Sequence, residues 1–155
     1  MQRMIIAVGK MGKGAASDLL AHYVKQVRPS VIVHEVADAP TSLPAALRKA
    51  KEAEAILKKL PASACMVALD AHGKPLTSEA FSDFIAAQER SGKKALCFVI
   101  GGQDGLDASV IARADMVLAF GPMIWPHKLA RVMLAEQMFR AQCIASGHPY
   151  HGGHV

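Results

Sequence analysis

Ala95-Leu96-Cys97-Phe98-Val99-Ile100-Gly101-Gly102 decides the fold. Six apolar residues follow one another without the alternation of a half-exposed strand, the pattern of a strand covered on both faces, and two glycines end the run. The same grammar recurs on either side: Met4-Ile5-Ile6-Ala7-Val8, Val31-Ile32-Val33, Cys65-Met66-Val67-Ala68-Leu69 and Met116-Val117-Leu118-Ala119-Phe120. Between these runs the apolar spacing turns helical, over Ala15 to Val27, Leu43 to Leu60, Glu79 to Ser91, Ala108 to Ala114 and Pro126 to Ala145. In the third of these Ser78 is the expected N-cap, Phe81, Phe84, Ile85 and Gln88 keep helical spacing, and Gly92 ends the helix. Strand and helix alternate throughout, so the expectation is an α/β domain with a mostly parallel five- to six-stranded sheet and helices on both faces.

The chain has 155 residues, enough for one domain spanning 1–155 with a core that needs no staples. Apolar residues make up 52% and charged residues 20%, which excludes a disordered chain. The longest apolar runs fall far short of the ~20 residues that span a bilayer, and the N-terminus meets Gly9 and Lys10 too soon for a signal peptide. Three widely separated cysteines, Cys65, Cys97 and Cys143, fit a reducing compartment. A cytoplasmic protein is expected. The net charge of +5 is unevenly placed: residues 1–60 carry ten Lys/Arg against five Asp/Glu, residues 61–120 five against seven, and residues 121–155 three against one. Basic ends favour a polyanionic partner.

Ligands of open α/β sheets bind beyond the carboxyl ends of the strands. After the first strand, Gly9-Lys10-Met11-Gly12-Lys13-Gly14 has neither dinucleotide-site nor P-loop spacing and reads as a flexible turn into a helix. Three other loops, Leu69-Asp70-Ala71-His72-Gly73-Lys74, Ile100-Gly101-Gly102-Gln103-Asp104-Gly105 and Phe120-Gly121-Pro122-Met123-Ile124-Trp125-Pro126-His127, bring glycines to strand ends. Together they make a better pocket than any one alone.

Several pieces occur in a familiar order: Ile6-Ala7-Val8-Gly9-Lys10, Leu69-Asp70 with Gly73-Lys74, Phe98-Val99-Ile100-Gly101-Gly102, Pro126-His127, Arg131-Val132, Leu134-Ala135-Glu136-Gln137, Phe139-Arg140-Ala141 and Pro149-Tyr150-His151. In these the chain resembles, over essentially its whole length, the SPOUT-class (trefoil-knot) methyltransferases. Within them it is similar to the large-subunit rRNA pseudouridine N3-methyltransferases, which act at position 1915 of 23S rRNA. The resemblance implies a C-terminal trefoil knot, S-adenosylmethionine as cofactor, 23S rRNA in the assembled ribosome as substrate, and a homodimer. Cofactor contacts fall, by resemblance, on Leu69, Gly101, Gly102, Phe120, Gly121, Pro122, Met123, Ile124 and Trp125, largely through backbone groups. Many relatives carry Ser-Lys-Met-Thr-Phe where this chain has Gly121-Pro122-Met123-Ile124-Trp125, and a Lys or Arg after Tyr-His where this chain has Gly152-Gly153-His154-Val155.

The reaction needs a proton removed from N3 and negative charge on the ring offset. Arg140, Tyr150 and His151 are the catalytic candidates, and His127 and Glu136 the substrate-binding ones. Each has a plainer alternative: Arg140 an i,i+4 pair with Glu136, Tyr150 and His151 an unstructured tail, His127 a helix-start residue meeting backbone groups. His148, His151 and His154 are spaced by three near Cys143 but form a poor zinc signature, so no metal is expected. Arg48-Lys49-Ala50-Lys51, Lys58-Lys59, Lys10, Lys13, Lys25 and Arg28 are either an RNA-backbone surface or a solvated face. Two other assignments stay open on the residues alone: a SPOUT enzyme with another RNA substrate, and a non-catalytic α/β module that binds a nucleotide or partner.

Overall fold

A computed structural model describes residues 1–152 of the chain. Five strands, β1 (Gln2–Val8), β2 (Val31–Val36), β3 (Ala64–Pro75), β4 (Ala95–Ile100) and β5 (Met116–Ala119), form one sheet in the order β2-β1-β4-β3-β5, every pair parallel. The helices are α1 (Ala15–Val24), α2 (Ala45–Lys59), α3 (Ser78–Arg90), α4 (Ala108–Arg113) and α5 (His127–Ser146), and a 3-10 turn covers Pro149–Gly152.

The period-two geometry of a strand explains why β4 and residues 4–8 of β1 are apolar throughout. Ile5, Ala7, Leu96, Phe98 and Ile100 face one layer with Phe81, Ile85, Leu134 and Met138 of α3 and α5. Met4, Ile6, Val8, Cys97 and Val99 face the other, with Ala53 and Ile56 of α2 and Val110 of α4. Leu20 packs against Val132 and Ala135, so α1 lies on α5. β4 is as long as the sequence implies, whereas β2 extends past Val33 through His34 and Glu35, because an edge strand can show polar side chains to water. β3 also runs past Leu69. Its register against β5 shifts there, with Leu69 and Lys74 both opposite Leu118, so residues 70–73 form a bulge in which Gly73 lies against the backbone of Val117 and Leu118.

The N-cap of α3 is Thr77, whose hydroxyl accepts from the Ala80 N–H at 3.1 Å, rather than Ser78. The Ser78 hydroxyl instead donates to Gln137 at 2.7 Å and ties α3 to α5. Gly92, with φ +76°, follows the end of α3 as expected. At the start of α2, Pro44 is the N-cap.

Candidate functional site

The carboxyl ends of β3, β4 and β5 open into one cleft of about 630 Å³. Its walls include Leu69, Ile100, Leu118, Phe120, Met123, Ile124 and Trp125, its floor Gly101 and Gly102, and its rim Asp70 and His127. The bulge is held by Asp70, which accepts from the His72 backbone N–H at 2.8 Å. The indole Nε1 of Trp125 donates to the Phe120 carbonyl at 3.1 Å and folds the loop after β5 back on itself. Met123 and Ile124 remain 70% and 88% exposed at the cleft edge. Gly121 and Pro122 belong to the same loop but do not line the cleft.

The two floor glycines are needed for different reasons. A Cβ at Gly101 would meet the Gly105 carbonyl carbon at 2.6 Å and its oxygen at 2.8 Å. The missing side chain therefore lets the β4–α4 loop close on itself; it does not clear space in the cleft. A Cβ at Gly102 would point toward β1, 3.0 Å from Val8, 3.5 Å from Glu52 Oε2 and 3.6 Å from Asp38 Oδ1. The loop is anchored to α2 by Arg48, whose guanidinium donates to both carboxylate oxygens of Asp104 at 2.7 and 2.8 Å. That fork raises Arg48 above its ordinary pKa and lowers Asp104 below its own.

On the β1 side, Arg131 of α5 is fully buried and donates to the carbonyls of Val8 at 2.6 Å and Gly9 at 2.8 Å. Glu35 of β2 pairs with it at 3.3 Å and also accepts from the Met11 N–H at 2.7 Å. The loop after β1, read from sequence as a flexible turn, is thus clamped. Burial lowers the Arg131 pKa while Glu35 and Asp38 oppose that shift, and a guanidinium stays charged regardless. Sequence reasoning missed this role. Its only signal was an arginine inside the apolar stripe of the last helix. His127, the first residue of α5, lines the cleft, and burial together with Arg131 lowers its pKa, so the imidazole is neutral at pH 7.

The other candidates gather elsewhere. Glu136 accepts from Arg140 Nε at 2.9 Å and from the Tyr150 hydroxyl at 3.0 Å, and its second oxygen accepts from Gln137 at 2.7 Å. The Tyr150 ring lies 4.8 Å from Phe139, with the Arg140 guanidinium 4.9 Å from its centroid. The i,i+4 pair allowed by the sequence is formed. Burial opposes the charge on Arg140, but Glu136 outweighs it and its pKa is raised. His151 contacts Glu79 at 2.8 Å, so the tail is packed as far as it is described. Arg140, Tyr150, His151 and Glu136 do not line the cleft; Glu136 lines a neighbouring cavity of about 440 Å³ that shares Leu118 and Phe120 with it.

A family model described as "Predicted SPOUT methyltransferase" matches residues 1–151. The chain belongs to the SPOUT methyltransferase family. It is 44% identical over 151 residues to the Ribosomal RNA large subunit methyltransferase H of Rhodospirillum rubrum, covering 97% of this chain and 99% of that protein. It is 46% identical to the protein of the same name from Acidiphilium cryptum, over 95% of this chain and 91% of that one. The Xanthobacter autotrophicus protein of that name is 42% identical, over 97% and 99%.

In this SPOUT family member the cleft holds most of the cofactor candidates and His127, while Glu136 lines the adjoining cavity and Arg140 and Tyr150 pack around it; Leu118 and Phe120 border both spaces. Among the described residues no group of three or more His, Cys, Asp or Glu is placed to hold a metal; His154 lies outside them. Cys65, Cys97 and Cys143 are buried, and burial pushes the Cys97 thiol up to about 11, which makes it a core residue rather than a nucleophile. No helix among the described residues is long and apolar enough to cross a membrane.

Proposed function

We propose that the protein is an S-adenosylmethionine-dependent methyltransferase that methylates N3 of pseudouridine 1915 in 23S rRNA, in the cytoplasm, on the assembled ribosome and as a homodimer. The observation that carries this reading is the cleft at the ends of β3, β4 and β5, an apolar slot with backbone amides at its floor, in a chain alike along its length to rRNA methyltransferases. Its size suits a small cofactor. Leu69, Gly101, Gly102 and the Phe120 to Trp125 loop would hold the nucleoside part, since an adenine edge needs backbone N–H and C=O partners between apolar walls. The bound cofactor supplies an electrophilic methyl group. The threading of the C-terminal segment belongs to the same proposal.

The chain's own residues do the rest. His127, neutral at pH 7, accepts the imide proton at its free ring nitrogen. Arg140 offsets the negative charge that develops on the ring oxygens, and Glu136 orients both Arg140 and Tyr150. Tyr150 offers a ring face for stacking and a hydroxyl. Because these groups do not line the cleft of their own chain, a two-fold contact that brings one subunit's tail to the partner's cleft is the arrangement that completes the site. Mass spectrometry of rRNA from cells lacking the gene tests the reading: one pseudouridine should lose a methyl group, and the purified protein with labelled cofactor should restore it. Unchanged rRNA would overturn the assignment.

A further inference from the structure

On the face of the sheet that carries α3 and α5, an open groove of about 590 Å³ lies between the end of α1 and the end of α5. Its lining includes Lys25, Arg28, His22 and His148 with the amides of Gln26 and Gln142, and no carboxylate. Five arginines, Arg3, Arg48, Arg113, Arg131 and Arg140, each face a carboxylate. Lys25 and Arg28 are exposed and have no ion pair among the described residues. The groove is nonetheless fixed in shape. Gln142 accepts from the Arg28 backbone N–H at 2.5 Å and donates to the Gln26 carbonyl at 3.2 Å, which ties the end of α1 to α5. Arg28 Nη1 donates to the carbonyls of Lys25 at 2.7 Å and Val27 at 2.9 Å, so the guanidinium is held while its Nε and Nη2 have no partner among the described residues. His148 Nδ1 accepts from the Tyr150 N–H at 3.1 Å, which leaves the ring hydrogen of the neutral imidazole on Nε2.

The groove adjoins the catalytic candidates. Phe139 lines it, and the Phe139 ring is 4.8 Å from that of Tyr150, which the Arg140 guanidinium approaches to 4.9 Å. Resting on the function proposed above, we infer that this groove binds the ribose-phosphate backbone of the substrate rRNA beside the target nucleotide, with Lys25 and Arg28 as the phosphate contacts. Charge complementarity favours this side of the site: the cofactor cleft carries Asp70 and Asp104 in its lining, whereas the groove carries donors alone at its charged positions. Cations at the end of α1 also offset the helix dipole. That role does not account for His148, which comes from the far side of α5 in sequence and adds an N–H to the same groove. Phosphate contacts position an RNA without reading its sequence, which is what a surface beside a single reacting base has to do. In the two-fold arrangement the groove travels with the tail to the partner's cleft, so the subunit that supplies Tyr150 also holds the backbone of the nucleotide being methylated.

The test measures binding to, and methylation of, ribosomes or large subunits across a range of salt. It compares the wild type, Lys25→Gln, Lys25→Gln with Arg28→Gln, and a charge-matched control, Lys58→Gln with Lys59→Gln, whose lysines lie on α2 across the sheet. The double variant in the groove should raise KM by about tenfold or more and flatten the slope of log Kd against log salt by about 1–2, while kcat at saturation and S-adenosylhomocysteine affinity hold. Lys25→Gln, whose side chain bonds nothing among the described residues, should give part of that effect at unchanged Tm. The α2 control should keep the KM and the slope of the wild type. Equal losses in the control and the groove variants would assign the effect to net charge and overturn the inference. An unchanged KM and slope would overturn it as well, and so would a silent Lys25→Gln beside a double variant that loses Tm, which would leave the cations to the end of α1. In each of these cases the methyltransferase reading stands. A wild type that methylates neither ribosomes nor large subunits would sink that reading and this inference together.

Discussion

Replacing Arg131 by methionine should cost the protein about 2–6 kcal/mol. The guanidinium donates to the carbonyls of Val8 and Gly9 where no water reaches, so Arg131→Met takes a donor from each, at about 1–3 kcal/mol per buried acceptor. Methionine fills much of the same volume, which keeps the cavity contribution small. Glu35 adds little to the cost, because its side chain is 37% exposed and water replaces the lost cation. Out of a total stability of ~5–15 kcal/mol this is a large fraction. At ~2–4 °C per kcal/mol for a chain of this size, a loss of 3 kcal/mol lowers Tm by about 6–12 °C. Urea unfolding should show a lower midpoint with an unchanged slope. Arg131→Lys should fall between, since one ammonium cannot reproduce the fork. A methionine variant within about 0.5 kcal/mol of wild type would refute the clamp, for a change that small is what an unremarkable surface substitution gives.

Gly101→Ala should lose about 1–3 kcal/mol of stability along with S-adenosylhomocysteine affinity, because its Cβ meets backbone of the Gly105 turn; lost affinity at unchanged stability would put that Cβ in the cleft after all. Arg140→Ala should cut turnover on ribosomes by ~10²–10³ while cofactor affinity holds, and matched losses of Tm and activity would assign the residue to its pairing with Glu136. Since the folded environment lowers the His127 pKa, the neutral form is favoured and its contribution is present above 6.5, lost as pH falls through the lowered value. The acidic limb of the rate profile should therefore lie below pH 6.5 and disappear in His127→Gln; a limb above that value would exclude His127 as the base.

The order of elements was legible because the strands at the centre of the sheet are apolar on both faces, and β4 comes out residue for residue. The ends of β2 and β3 were not, since His34-Glu35 is a polar pair made strand by its partners in β1, and β3 regains β5 only at Lys74 and Pro75 after the unpaired Asp70-Ala71-His72-Gly73. Capping was misplaced by one residue because Thr77 and Ser78 are both good caps, and only the packing of Ser78 on Gln137 separates them. Three glycine-bearing loops at one sheet edge gave the cleft. What sequence could not give was the reason for each glycine: Gly101 and Gly102 read alike, yet one accommodates its own loop and the other faces Val8 of β1 and Glu52 of α2. The carboxylates are likewise indistinguishable in a linear reading; which of them are paired depends on contacts such as Arg48 with Asp104, 56 residues apart.

The division of labour between loop and helix predicts how substitutions should sort. The cleft is built largely of backbone and apolar walls, so side-chain changes in the loop after β5 should act mainly on cofactor affinity. The polar groups sit on α5 and the tail, tied together by Glu136, and changes there should act mainly on kcat. Phe120 belongs to both places, lining the cleft and the cavity beside Glu136. Its carbonyl receives the Trp125 indole, so its backbone is fixed by the loop. Phe120→Ala should therefore be the variant that affects both constants. Phe120 is half-buried, so removing its ring is worth up to about 1.5 kcal/mol, or roughly tenfold in cofactor Kd. A further loss in kcat should persist at saturating cofactor, because without the ring nothing holds the transferable methyl group and the target base in register. If saturation restores the wild-type kcat, Phe120 serves the cofactor alone.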